Sequence, residues 1–202
     1  MNSSSNRARF PSVLLNSDDL ERCRSYGKSA WSRTGKAVRP GASDYDRAYG
    51  DAEFHGKAGE MGFGRLIGVE PDFEYRDGGD RYDFLVEGQR VDVKCTANRR
   101  AGVSYVLKES GGKKDRTPLD IVVCTSFREA GDGAMIEVLG FQTRRWIVRS
   151  APVNPSPRYK DTKNWDLVWE DLQPAWAVID WARGEPDPRN PELRELESPL
   201  VG

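Results

Sequence analysis

The 202-residue sequence predicts an α/β fold, a single domain with a central mixed β-sheet flanked by helices. Three observations predict it. Residues 45–67 carry apolar side chains at helical intervals. Two short stretches on either side of Glu87-Gly88 alternate with the period of strands. Residues 119–125 form a nearly continuous apolar run, the pattern of a strand buried on both faces. A helix followed by strands and then further strands suits one sheet with helical cover.

Each element has its own signal. Residues 1–12 are rich in Ser, Asn and Arg and read as a frayed start. Ser17-Asp18-Asp19-Leu20-Glu21 reads as a helix start, with Ser17 or Asp18 as N-cap. Residues 32–44 read as a loop. In the helix at 45–67, Tyr49, Ala52, Phe54, Ala58, Met61, Phe63, Leu66 and Ile67 form the apolar set, and Gly68 is the stop. Gly56, Gly59, Gly62 and Gly64 each cost about 1 kcal/mol relative to Ala there, so they suggest close approach of something to the helix. Asp72 to Arg76 alternates as a strand and Asp77-Gly78-Gly79-Asp80 is a turn. Strands follow at 82–86, 89–95, 119–125 and 134–140. Residues 143–149 suggest a short helix, residues 165–169 a late strand, and residues 172–181 a helix opened by Pro174. The tail from Gly184 is Pro-rich and charged.

Composition excludes several classes. No stretch approaches 18 apolar residues, which argues against a membrane span. The first residues lack the apolar core of a signal peptide. Cys23, Cys95 and Cys124 lie far apart and His55 is the single histidine, so a zinc knuckle, an iron–sulfur site, a disulfide framework and a multi-His metal site are poor readings. The expectation is a reduced, cytoplasmic protein. Net charge is -1, but it is unevenly spread: +4 over 1–50, -6 over 51–89, +5 over 90–149 and -4 over 150–202. An acidic centre between basic segments fits a cation site within a phosphate-binding surface, and equally an ordinary surface fluctuation.

The hairpin carries the chemistry. With Glu87-Gly88 as a two-residue turn, Val86 pairs with Gln89, Leu85 with Arg90, Phe84 with Val91 and Asp83 with Asp92. The two aspartates then stand opposite each other, and Lys94, two residues beyond Asp92, shares their face. Tyr82, Phe84, Val86, Val91, Val93 and Cys95 form the apolar face that fixes the register. Opposed like charges call for compensation, which a hard divalent cation such as Mg²⁺ provides. Two carboxylates and a lysine are the parts of metal-assisted phosphodiester hydrolysis. An exposed polar sheet face with Lys94 as counter-ion has the same pattern.

Tyr82-Asp83, eight intervening residues and Asp92-Val93-Lys94 resemble the D-x(n)-(D/E)-x-K signature of the PD-(D/E)XK nuclease superfamily, with Tyr82 where proline is usual. The preceding helix with Glu60, the segment at Ser104-Tyr105 and the apolar strand around Val122 are also similar to that family's core, over roughly 50–150. The resemblance implies a restriction-endonuclease-like core at 45–183, between an N-terminal extension at 1–44 and the tail at 184–202. It implies a Mg²⁺-dependent deoxyribonuclease, with Mn²⁺ as a substitute ion and an endonuclease as the expected form. Asp83, Asp92, Glu60 and the backbone carbonyl of Val93 would hold the metal, and Lys94 would be the catalytic lysine. Glu53 is the alternative helix acid; His55 would touch a phosphate, replace the helix acid or stand by.

The partner expected is DNA. Arg99 and Arg100 follow the Asp92-Val93-Lys94 strand directly. Lys108, Lys113, Lys114 and Arg116 lie in a Gly/Lys loop suited to a phosphate backbone, or to plain solvation. Arg144-Arg145 suit a helix start or the surface. Trp31 suits a base or the core, and Trp146, Trp165, Trp169, Trp176 and Trp181 read as core or C-terminal cover. The sequence leaves the oligomeric state open, a homodimer included. The rival reading is a catalytically idle relative that binds nucleic acid or protein.

Overall fold

The computed structural model describes residues 10–33, 44–74, 82–97, 103–110, 113–114, 119–155 and 162–185. Nine strands and four α-helices are described: β1 (Ser12–Leu15), α1 (Ser17–Arg33), α2 (Asp44–Ile67), β2 (Phe84–Val86), β3 (Gln89–Thr96), β4 (Val103–Ser110), β5 (Lys113–Lys114), β6 (Ile121–Ala130), β7 (Gly133–Thr143), α3 (Arg144–Ser150), β8 (Val153–Pro155), β9 (Thr162–Val168) and α4 (Ala175–Ala182). The principal sheet is mixed, in the order β1-β7-β6-β3-β2, and helices pack on it as expected. A second, antiparallel sheet runs β5-β4-β9-β8. No described helix is long and apolar enough to cross a membrane.

β6 is the centre. It pairs parallel with β3 and antiparallel with β7, and its first seven residues are buried. Ile121 and Val123 face a cluster with Phe63 and Ile67 of α2 and Val178 and Ile179 of α4. Val122 and Cys124 face Ile147 of α3 and Trp165 and Leu167 of β9. The near-continuous apolar run follows from cover on both faces. A parallel pair needs a crossover. Here β4 and β5 lie between β3 and β6 in the chain.

The hairpin register is the one read from the sequence for three pairs: Val86 with Gln89, Leu85 with Arg90 and Phe84 with Val91. Glu87 and Gly88 have φ of 48° and 75°. Two left-handed residues in succession make the turn that matches strand twist, and Gly88 supplies one of them without strain.

α1 starts one residue earlier than its acidic run suggests. Asn16, rather than Ser17 or Asp18, is the cap: its Oδ1 accepts the Asp19 N–H and the Asp19 Oδ2 accepts the Asn16 N–H, both at 2.9 Å. That reciprocal pair satisfies donors a helix start leaves bare. Although β1 and all of α1 fall within the stretch read as an N-terminal extension, β1 flanks β7 and α1 packs on α2. Other elements shift too. Asp72 to Glu74 is not a strand, because Asp72 Oδ1 accepts the Glu74 N–H at 2.7 Å and turns the backbone locally. The Lys108-to-Arg116 loop instead includes the end of β4 and β5, with Ser110 paired to Lys113. Thr143 caps α3 through its side-chain oxygen, and Pro174 opens α4 as expected.

The glycines of α2 have a clear role. A Cβ on Gly59 would lie 2.6 Å from the Cβ of Cys95 and 2.7 Å from Oγ1 of Thr125. One on Gly62 would lie 2.5 Å from Ile136. What approaches the helix closely is the sheet itself. Glycine at 59 and 62 lets α2 settle against β3, β6 and β7, and this sets the height of Glu60 above the sheet.

Candidate functional site

The site forms where β2 ends beside β3. The ladder stops at the Phe84–Val91 pair, so Asp83 does not extend it as a strand residue opposite Asp92. Asp83 bends toward β3 instead. Its N–H donates to the Val91 carbonyl at 2.9 Å, and its Oδ2 accepts the Val93 N–H at 2.6 Å. The carboxylate is thereby fixed along the rim of β3. A residue's N–H and C=O leave a strand on the same side, so the Val93 carbonyl is directed to that rim as well.

Asp92 and Lys94 alternate with Val91 and Val93, which pack in the α2–α4 cluster, and so project from the other face of β3. Lys94 Nζ lies 3.0 Å from Oδ1 and 2.7 Å from Oδ2 of Asp92. The contact to Oδ2 is ionic alone. That oxygen is buried and lacks a hydrogen bond of acceptable geometry.

Glu60 comes from α2. Its carboxylate accepts a hydrogen bond from Nζ of Lys57, three residues earlier, and both side chains are largely buried. Electrostatics tie the groups together. Burial pushes the Asp83 carboxyl well above the usual carboxylate range; Glu60 and Asp92 add to the rise, and the Val93 N–H and Lys94 oppose it. Burial pulls the Lys94 ammonium down, but Asp92, Asp83 and Glu60 outweigh burial and leave it raised. Three carboxylates thus face two ammonium groups. Lys94 neutralises Asp92 and Lys57 neutralises Glu60, which leaves Asp83 as the group in surplus.

The donor set suits a hard cation. It offers carboxylate oxygens, one of them buried without a hydrogen bond, and a backbone carbonyl, which are Mg²⁺ or Mn²⁺ ligands rather than zinc ligands. Among the described residues no three His, Cys, Asp or Glu side chains are already gathered into a metal cage. Asp92 is held by Lys94 and Glu60 by Lys57. A divalent ion has to displace Lys94 from Asp92 in part, and Mg²⁺ characteristically takes only one or two carboxylates and keeps its waters. Thiol chemistry is remote: burial raises Cys95 and Cys23 to about 12, so both stay protonated near neutral pH.

Two further sequence candidates, His55 and Glu53, stand on α2. The ring of His55 rests against Phe54 and Phe127, with centroids 5.1 and 4.6 Å away. Glu53 is two turns back along α2 from Glu60. Arg99, Arg100 and Arg116 lie outside the described residues, and for Lys108, Lys113 and Lys114 the backbone alone is described.

Two features escaped the sequence reading. Lys57 is 3% exposed and links Glu60 to the carbonyl of Asp72 at 2.8 Å. Its signal was the i,i+3 spacing to Glu60 within an apolar helix. Arg90 and Asp120 form a fork, with Nε to Oδ2 at 2.8 Å and Nη2 to Oδ1 at 2.9 Å. Despite partial burial, the bonds from Arg90 hold the Asp120 carboxyl below its ordinary range. The fork pins the start of the parallel β3–β6 pair, and the Asp120 carbonyl accepts the first N–H of α3. No local pattern links residues 90 and 120.

Compared with models of protein families, with curated proteins and with solved structures, the chain matches none of them.

Proposed function

We propose that the chain is a Mg²⁺-dependent nuclease that hydrolyses phosphodiester bonds in DNA, as an endonuclease on a restriction-endonuclease-like core. The observation that carries the reading is the buried Asp83 carboxylate, fixed on the Val93 N–H at the rim of β3 with no ammonium of its own, beside the Asp92–Lys94 pair. A buried carboxylate in excess over its neighbouring ammonium groups is costly, and a cation relieves that cost.

In this reading Asp92, Asp83, Glu60 and the Val93 carbonyl hold Mg²⁺, with Mn²⁺ as the substitute. When bound, such an ion acidifies a water and neutralises charge on the scissile phosphate. Lys94, released from Asp92 in part, turns its ammonium toward the attacking water or a phosphate oxygen. In the chain without an ion, Asp92, Asp83 and Glu60 outweigh burial and keep the Lys94 ammonium above its ordinary value. Asp83 is anchored by the Val93 N–H on its Oδ2, which fixes the position of that carboxylate in advance. The Lys-rich β4–β5 hairpin and Arg99-Arg100 supply the phosphate contacts.

A second reading has its own support. Lys94 on Asp92, Lys57 on Glu60 and the Val93 N–H on Asp83 satisfy much of the cluster internally, as in an idle relative that binds nucleic acid or protein without turnover. One assay separates the two. The purified chain is incubated with circular, linear and single-stranded DNA and with RNA, in Mg²⁺, Mn²⁺ or EDTA. Nicking and linearisation of circles with Mg²⁺, abolished by EDTA, is the expected result. Absence of cleavage in every form and ion leaves the binding module.

A further inference from the structure

Lys57 has no part in the hydrolytic chemistry, yet it is buried far more deeply than Lys94. Its ammonium is held from several sides. Nζ donates to the Glu60 carboxylate and to the Asp72 carbonyl at 2.8 Å. It lies 4.2 Å from the centroid of the Tyr26 ring and 5.6 Å from that of Phe73. Tyr26 and Phe73 pack edge to face, at 6.1 Å and 87°. A lysine normally keeps its ammonium in water on a flexible stem. Here α1, α2 and the segment after α2 converge to immobilise it.

We propose that Lys57 is a positioning residue that acts through Glu60, holding that carboxylate in one place beside β3 so that it serves as a cation ligand together with Asp83 and Asp92. This rests on the metal-dependent reading of the site. The geometry favours it over a purely structural ion pair. An i,i+3 pair on an exposed helix face contributes little. This pair is inside the protein, where a carboxylate that loses its partner is left uncompensated and turns away. Glu60 also does more than answer Lys57, because its charge reaches Asp83 and Lys94. The Asp72 carbonyl and the two rings fix the cation, the cation fixes Glu60, and Gly59, the residue before it, seats this part of α2 against Cys95 of β3. Groups that orient a metal ligand are typically worth about 10–100-fold in metal affinity.

The test uses the full chain and Mn²⁺ as probe. Lys57→Met, Lys57→Arg, Glu60→Gln and the double variant Lys57→Met/Glu60→Gln are titrated with Mn²⁺ by calorimetry and assayed for DNA cleavage. Lys57→Met should weaken Mn²⁺ binding about as much as Glu60→Gln, by about 10–100-fold. The double variant should be no worse than either single one, because both changes remove the same ligand. Lys57→Arg should restore part of the loss, and turnover should fall with little change in KM for DNA. A second measurement needs no variant. The Lys57 Nζ resonance of ¹⁵N-labelled wild type should move during Mg²⁺ titration with the midpoint seen by calorimetry. A folded Lys57→Met chain that binds Mn²⁺ and cleaves like wild type, or additive losses in the double variant, overturns the proposal. So does an unmoved Lys57 resonance in a chain that binds Mg²⁺. If wild type neither binds the ions nor cleaves, the reading of the site itself has failed and the role of Lys57 falls with it.

Discussion

Replacing glycine by alanine at two positions of the same helix should give opposite results. Gly56 and Gly59 both lie within α2, so each substitution gains about 0.5–1 kcal/mol of helix propensity. At Gly56 a Cβ meets nothing within 4 Å, and the gain stands. At Gly59 the new carbon would fall 2.6 Å from the Cβ of Cys95 and 2.7 Å from Thr125 Oγ1. Carbon atoms rest near 3.5–4.0 Å apart, so the shortfall is about 1 Å. A Cβ cannot rotate away, so the helix has to lift. Overpacking of this kind costs about 1–3 kcal/mol. The two variants should therefore differ by about 1–3 kcal/mol in urea unfolding, Gly56→Ala above wild type and Gly59→Ala at or below it. For a chain of this size each kcal/mol moves Tm by about 2–4 °C. The lift also moves Glu60, the next residue. A displacement near 1 Å can lower turnover by about 100-fold, while Gly56→Ala should cleave as wild type does. If Gly59→Ala proves as stable as Gly56→Ala, α2 does not sit directly against the sheet at that position. If it is destabilised and cleaves normally, the height of Glu60 does not matter to the reaction.

Asp92→Asn should lower cleavage by about 1,000-fold or more, as loss of several kcal/mol of charge stabilisation requires, and should abolish Mn²⁺ binding by calorimetry. Its Tm should stay within a few degrees of wild type, since the missing ion pair with half-exposed Lys94 offsets relieved repulsion with Asp83. Lys94→Ala should also stop cleavage yet keep or tighten Mn²⁺ binding, because the ion no longer competes with the ammonium for Asp92. With its carboxyl raised in the folded state, Asp83 stabilises the metal-free chain fully below about pH 4, and that contribution is lost as pH climbs through the raised value. Asp83→Asn should flatten this fall in the urea midpoint from acid toward neutral pH. Replacing Lys113, Lys114 and Arg116 together by Ala should weaken DNA binding and reduce the log–log salt slope by about 1 for each phosphate that is no longer neutralised; an unchanged slope moves the substrate elsewhere.

Local pattern made much of this legible. The hairpin register followed from alternation of Phe84, Val86, Val91 and Val93 around a Glu-Gly turn, and β6 from its unbroken apolar run. The second sheet was not legible. β4 is paired with β9, which lies more than fifty residues further on, and nothing near Val103 announces that partner. At the site, spacing brought Asp92 and Lys94 together, since residues two apart in a strand share a face. It could not show that the ladder ends before Asp83, which depends on where β2 leaves β3, nor that Lys57 is buried, which depends on α1 and the segment after α2 closing over it.

The pairing of β1 with β7 sets an order on assembly. Ser12 sits opposite Glu137 and Leu15 opposite Ala134, so the earliest described strand has no partner until most of the chain exists. At about 5–20 residues per second on a ribosome, the wait is on the order of ten seconds. During that interval Leu15, Leu20 and Cys23, all buried at the end, have only local cover. The dependence runs the other way as well. β7 is eleven residues long, and four residues of β1 close its outer side at Ala134 to Glu137. A change that loosens β1, such as a proline at Val13, would bare hydrogen-bonding groups of β7 to other copies, and its first symptom should be aggregation during synthesis, before any loss of cleavage in the molecules that fold.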